Sequence, residues 1–324
     1  MFFVWRRFLL VHLPLALLGV ALAAEGIAIL LKDIPLRRHD LDKITVALKQ
    51  GGQSADVLVF GDSVTQDVLK TYRIAPDGRV ANLTTNMASG VVGVMFLLKR
   101  YLEINPSPRH LVLVASPEFL SYDPEGKTAE VYVTSVFREE GEVAWLSRHM
   151  PEVLEKTREP AVFNLEGKIG YPLLAVIAPR PDGIPEGKVL PVPDLAPEEG
   201  PISEAALQSV RGRIGTELGP TPVVKVVLGE ICDLAKIHDF QVRVLRAPIP
   251  AEVIAGWRVS GALADFQNQM DSVLAASCPD IRFENFGAWG ELPTTAMRES
   301  DHLRRPGWTN RYALVLREFV DSLP

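Results

Sequence analysis

Asp56-Val57-Leu58-Val59-Phe60-Gly61-Asp62-Ser63-Val64-Thr65 joins a run of β-forming residues to Gly-Asp-Ser and then to residues able to start a helix. β-Branched and aromatic side chains suit a buried, pleated strand. Glycine followed by Asp and Ser marks where such a strand turns into a helix. The stretch therefore predicts a strand-to-helix turn with Ser63 at the carboxyl end of the strand. Ser63 is there either a nucleophile or a helix cap, and the rest of the chain has to decide between them.

Strands and helices alternate outward from this turn. Residues 64–72 read as a short helix and 79–83 as a strand, followed by the polar loop Thr84-Thr85-Asn86-Met87-Ala88-Ser89-Gly90. In residues 91–104 the apolar positions Val91, Val94, Met95, Leu98, Tyr101 and Leu102 recur at three- and four-residue steps, the period of a helix. A strand over 110–115 ends in Ser116-Pro117-Glu118. Beyond residue 221 come a helix at 222–238, a strand at 241–245, a helix at 260–277, a strand at 281–286 and a closing helix at 308–323. Trp308, Tyr312, Leu316, Phe319, Val320 and Leu323 give that last helix one apolar face. The alternation predicts an α/β fold whose parallel sheet is covered on both faces. In such sheets ligands collect at the carboxyl edge of the strands. Ser63, the loop 86–90 and the turn 116–118 would share that edge.

The N-terminus is different. Residues 8–31 are almost continuously apolar, preceded by Arg6 and Arg7 and broken only by His12, Pro14 and Glu25. A helix of that length can cross a bilayer. Ala21-Leu22-Ala23 before Ala24 resembles a signal-peptidase site. Cleavage there, however, would leave Ile27-Ala28-Ile29-Leu30-Leu31 at the new terminus, so an uncleaved anchor is the better reading. Residues 1–31 are thus expected to be the anchor, 32–54 a mixed-charge juxtamembrane tether, and 55–324 an α/β domain. Within that domain, 121–221 reads as an insertion or partly irregular cap over the site, with 139–156 able to be helical. An N-terminal apolar segment normally serves export, which places the bulk of the chain outside the cytoplasm. The 324 residues carry a formal net charge of −6 and no basic stripe with interleaved aromatics, which excludes a nucleic-acid-binding surface. The two cysteines, Cys232 and Cys278, fit either a disulfide or two buried thiols. No metal-ligand spacing occurs.

A serine hydroxyl becomes a useful nucleophile only when a base takes its proton and fixed donors hold the oxyanion. Of six histidines, His12 lies in the apolar segment, His39 in the tether, His149 in the insertion and His238 at a helix end, while His110 begins a strand at the opposite edge. His302 alone follows a strand and precedes a helix at the edge where Ser63 is expected. Glu299 or Asp301 could orient its ring. Glu299 is preferred, because neighbouring side chains usually diverge. Backbone N–H groups at Ser63 and in the loop of Asn86 to Gly90 are the candidate oxyanion donors. Asp62 is read as a brace for the turn.

Gly61-Asp62-Ser63 after the first strand, the Asn86-x-x-x-Gly90 loop after the second, and Glu299-x-x-His302 near the C-terminus resemble the SGNH (GDSL-like) hydrolase superfamily. With the apolar segment and tether, the chain further resembles bacterial membrane-anchored members linked to acetylation of envelope polysaccharides. The resemblance covers residues 55–120 and 240–323. It implies a three-layer α/β/α sandwich with a flavodoxin-like parallel sheet, and ester hydrolysis or acyl transfer without metal or organic cofactor. Ser63 then matches the nucleophile, His302 the base, Gly90 the second oxyanion donor, and Glu299 the position usually held by Asp. The implied partners are the membrane through residues 8–31, a carbohydrate or acyl-ester substrate, and a membrane-bound acyl-donor protein. The family's Gly-x-Asn-Asp block is here Ala115-Ser116-Pro117-Glu118, so Ser116 stands where an asparagine donor is expected. Loss of one such donor can slow catalysis about 10²- to 10³-fold. A non-catalytic accessory protein on the same scaffold is the alternative.

Overall fold

The computed structural model describes residues 5–6, 8–31, 41, 44–45, 48–49, 51–52, 54–73, 78–85, 89–124, 133, 136–157, 162, 165–170, 173, 176–177, 188–189, 201–278, 281–284, 291–299 and 301–324. They fall into two compact units, Met1–Lys43 with Glu125–Asp182, and Ile44–Pro124 with Gly183–Pro324.

The second unit is built on a parallel sheet of β1 (Val57–Gly61), β2 (Val80–Asn82), β3 (His110–Ala115), β4 (Gln241–Arg246) and β5 (Arg282–Glu284). Their order is β2-β1-β3-β4-β5. Leu58 lies opposite both Ala81 and Leu111, Gly61 opposite Val114, and Ala115 opposite Arg246. β1 and β3 are buried along their whole length, which is why they are continuous apolar runs rather than alternating ones. Ten helices are described: α1 (Leu13–Leu31), α2 (Ser63–Thr71), α3 (Gly90–Ile104), α4 (Glu140–His149), α5 (Pro151–Thr157), α6 (Glu204–Gly212), α7 (Pro222–His238), α8 (Ala251–Ser260), α9 (Ala262–Ser277) and α10 (Gly307–Asp321).

Alternation along the strands sends Val57, Val59, Val112, Val114 and Leu245 to one face. There they pack with Val68 and Leu69 of α2 and with Trp308, Tyr312, Leu316 and Val320 of α10. Leu58, Phe60, Leu111 and Leu113 take the opposite orientation and are equally buried. α3, buried from Gly90 to Leu98, pairs with α7. Lys99 on α3 and Glu230 on α7 form an ion pair at 2.6 Å. Cys232 on α7 and Cys278 just beyond α9 form a disulfide with Cα atoms 5.6 Å apart, which settles the pairing that spacing had left open.

Four expectations change. Residues 32–54 are more than a tether: Leu41, Ile44 and Leu48 are helical and at most 1% exposed. Their i, i+3, i+7 spacing was hidden by the charges between them. α8 was not expected after Pro248-Ile249-Pro250, yet proline is well suited to the residues just before a helix, and α8 ends at Gly261 with φ +83°. The helical stretch at 139–156 divides at Met150, because Pro151 has no N–H for a continuing helix and instead starts α5. The expected insertion 121–221 is also divided. Residues 125–182 belong with 1–43, and 183–221 belong with the sheet.

In the first unit the helix runs unbroken from Phe8 to Leu31, through Glu25. Its 24 residues span about 36 Å, long and apolar enough to cross a membrane. Most of its side chains face outward. Ala24 and Ala28, one turn apart, pack against Val162 and Ile169 of the same unit.

Candidate active site

Gly61 permits the turn. A Cβ there would lie 2.9 Å from both the Val114 carbonyl oxygen and Thr65 Cβ, so only glycine lets β1 pass into α2 this closely. The next residue caps the helix. Asp62 Oδ1 accepts from the Val64 N–H at 3.0 Å, and its carbonyl accepts from the Gln66 N–H at 3.0 Å. Asp62 therefore does the capping that Ser63 was equally able to do. Ser63 is the half-buried first residue of α2, and among the described residues its hydroxyl has no hydrogen-bond partner.

The second loop is tied to this turn by backbone and side-chain bonds. The Thr85 N–H donates to the Gly61 carbonyl at 2.9 Å, and Gln66 Nε2 donates to the Thr84 carbonyl at 3.2 Å. The Thr85 and Ser89 hydroxyls are 2.9 Å apart. Gly90 opens α3 at φ +55°, a left-handed conformation that favours glycine, and a Cβ there would press on Pro124 at 3.1 Å. The Ser89 side chain makes no capping bond to α3. Asn86 lies outside the described residues. At the third strand end, Ser116 Oγ accepts from the Phe119 N–H at 3.1 Å and is nearly buried. It is thus engaged in its own turn. Glu118 is held by Arg213 at 2.8 Å.

The histidine arrives on a tight reversal. Met297 and Leu303 form an antiparallel bridge, and the Arg298 N–H donates to the His302 carbonyl at 2.7 Å. Asp67 on α2 pairs with Arg298 at 3.7 Å and with Arg305, fastening the loop to the helix that begins with Ser63. Within the reversal, His302 Nδ1 lies 2.9 Å from Asp301 Oδ1 and 3.7 Å from Glu299 Oε2. The orienting carboxylate is therefore Asp301, not the preferred Glu299, which pairs with Arg298 Nε at 3.1 Å. Adjacent side chains diverge on an extended strand, but Asp301 sits in a bend, where that rule fails. With Nδ1 bonded to Asp301, Nε2 is the ring nitrogen left to accept a proton. No hydrogen bond joins His302 to Ser63 among the described residues. Glu299, Asp301 and His302 also bring metal-type donor atoms within 4.8 Å of one another.

Charge couples the two ends of the chain. The hydrogen bond that His302 Nδ1–H donates to the Asp301 carboxylate holds the His302 pKa above its ordinary value, against the opposing effect of burial. Burial pushes the Asp62 carboxyl up to about 6. The Val64 N–H opposes that shift, Asp301 adds to it, and His302 again opposes it. Tyr312 on α10 is pushed up by burial and then by Asp62. The Tyr312 hydroxyl, Thr65 Oγ1, Asn310 Oδ1 and Trp308 Nε1 are buried without a hydrogen-bond partner among the described residues. Sequence patterning missed this polar set because Trp308 and Tyr312 read as one apolar face. It also missed Asp67 with Arg298 and Arg305, for which separation along the chain leaves no local signal.

The Asp62 shift predicts a pH-dependent variant. Its carboxyl binds a proton more tightly when folded, so ionisation weakens the fold as pH rises from the usual carboxylate range through about 6. Asn keeps the capping oxygen. Asp62→Asn should match the native chain near pH 3.5 and exceed it by about 3 kcal/mol at pH 7.5. Urea midpoints at the two pH values measure this, and a constant difference would show that Asp62 does not titrate as its burial requires.

Compared with known proteins, the chain matches no family model, and no curated protein is similar enough to count as a relative.

Proposed function

We propose that the chain is a membrane-anchored serine esterase or O-acyltransferase of SGNH type, acting on acetyl or other acyl esters of an envelope or extracellular polysaccharide. The observation that carries this reading is the convergence of Ser63 with the Asp301–His302 pair. Asp67 ties the His302 loop to α2, and Asp62, next to Ser63, feels the charges of both His302 and Asp301. The strand order β2-β1-β3-β4-β5 is that of a flavodoxin-like sheet, whose order reverses between β1 and β3. Helix pairs α2–α10 and α3–α7 would make it a three-layer α/β/α sandwich, with the site at that reversal.

In this mechanism His302 Nε2 takes the Ser63 proton while Oγ attacks the acyl carbonyl carbon. The N–H groups of Ser63 and Gly90 hold the oxyanion. On collapse the ester C–O bond breaks, His302 protonates the leaving alkoxide, and the acyl group stays on Ser63. Water gives hydrolysis and an acceptor hydroxyl gives transfer, each deprotonated by His302 before it attacks the acyl-serine. Asp301 keeps the ring in the required tautomer. The Phe8–Leu31 helix serves as the anchor. The Cys232–Cys278 disulfide favours placing the domain in an oxidising space outside the cytoplasm.

A second reading, a non-catalytic accessory protein of a polysaccharide assembly, is favoured by the missing Ser63–His302 bond and by Ser116 being engaged with Phe119. A fluorophosphonate probe separates the two. Labelling of the native chain that is lost in Ser63→Ala supports the enzyme. An unlabelled native chain, or equal labelling of the variant, would overturn it in favour of the accessory protein.

A further inference from the structure

Residues 169–179 run for eleven positions without a charged side chain, between Lys168 and Arg180. That is too short for a helix to cross a hydrocarbon core of about 30 Å. An internal apolar stretch of this length belongs either to a buried core or to a membrane interface. Leu173, Val176 and Ile177 are not core: they are helical and 45%, 54% and 68% exposed. Their i, i+3, i+4 spacing puts them on one face. Leu165, just ahead of the short helix Glu166–Gly170, is 52% exposed. Beyond residue 31, the other large apolar side chains exposed among the described residues stand singly, each on a different helix.

What lies beside these side chains decides between water and lipid. The unit that holds them, Met1–Lys43 with Glu125–Asp182, also holds α1. The helix Glu166–Gly170 packs against α1, with Val162 and Ile169 on Ala24 and Ala28. A membrane-spanning helix of 24 residues is about 36 Å long, so at most about 6 Å of it can protrude at either end. Ala24 lies about 10 Å before Leu31, within the hydrocarbon however the helix is centred, and Ala28 lies about 4.5 Å before it, at the boundary. Side chains that pack on both therefore stand at membrane depth themselves. Glu25, on the same covered face, is half-buried and not without a partner, which is how an ionisable group is accommodated at that depth.

Given the reading of Phe8–Leu31 as a membrane anchor, we propose that Leu165, Leu173, Val176 and Ile177 are seated in the lipid interface beside it, in the leaflet from which Leu31 emerges. An apolar helical face enters the headgroup boundary by about 5 to 10 Å, the depth at which Ala24 and Ala28 hold Val162 and Ile169. A single spanning helix leaves its unit free to turn about the helix axis. A second contact in the same leaflet fixes that rotation.

The full chain in phosphatidylcholine vesicles tests this, with an environment-sensitive fluorophore on one introduced cysteine. The native cysteines are joined to each other and do not react. The probe on Val176→Cys should show blue-shifted emission and protection from aqueous iodide. Lipid spin-labelled near the headgroup should quench it more than lipid labelled near the chain end. Leu18→Cys, near the middle of the anchor and 54% exposed, should show the reverse order of lipid quenching. Adding Leu173→Gln and Ile177→Gln should remove most of the lipid quenching at position 176 and leave that at position 18 unchanged. Quenching at 176 by iodide and not by lipid, with position 18 inserted, would overturn the inference and leave the anchor standing. Protection from both quenchers would assign the face to a protein contact, a second copy included, and would overturn it too. So would lipid quenching that survives the double substitution. A probe at position 18 that no lipid label quenches would remove the anchor itself, and the inference with it.

Discussion

Ser63→Ala and His302→Ala should each lower turnover of an activated aryl acetate by about 10³-fold or more, and the double variant should be no slower than the slower single. In the proposed mechanism the two side chains perform one act. Without Ser63 Oγ, His302 has no serine proton to take, and without His302 the hydroxyl stays a weak nucleophile. Losses that multiplied in the double variant would mean independent roles and would remove the case for a Ser-His pair. Near-UV circular dichroism of each variant checks that the fold survives. Both positions should tolerate the change, since Asp62 rather than Ser63 caps α2, and the Arg298 and Arg305 contacts to Asp67 hold the loop without His302.

The second large effect lies away from the site. Replacing both Cys232 and Cys278 by serine should destabilise the chain by about 4 kcal/mol, the chain-entropy value for a link between residues 46 apart. Both cysteines are almost fully buried, packed with Leu274 and beside Ile281, so the variant also leaves hydroxyl groups in an apolar setting. A lower urea midpoint is the measurement, and native protein unfolded and refolded with reductant should move the same way. No shift in either case would mean that the thiols are unpaired in the working protein, and the disulfide would no longer favour an oxidising compartment.

How much of the fold was written locally depends on the kind of signal each element carries. β1, β3, α3 and α7 were legible because a fully buried parallel strand must be continuously apolar, and a half-buried helix must repeat at three and four residues. α8 was missed because Pro248 and Pro250 read as the end of a strand, and the same residues suit the start of a helix. In 32–54, charged residues hid Leu41, Ile44 and Leu48. Glu299 was favoured over Asp301 by a rule for extended chains, whereas the backbone bond from Arg298 to His302 bends the loop.

By itself, then, the sequence determined the apolar span at residues 8–31, the alternation that yields a parallel sheet, and the turn that sets Ser63 at a strand's carboxyl end. Those are properties of periods and of individual residues, and they need no partner to be read. Only the tertiary structure decided that Asp62 is the cap, that Asp301 is the carboxylate on His302, and that Asp67 fastens the His302 loop beside Ser63. Each of these is a pairing between residues brought together by the strand order or by a bend, and such distances exist only once the sheet has closed its crossovers.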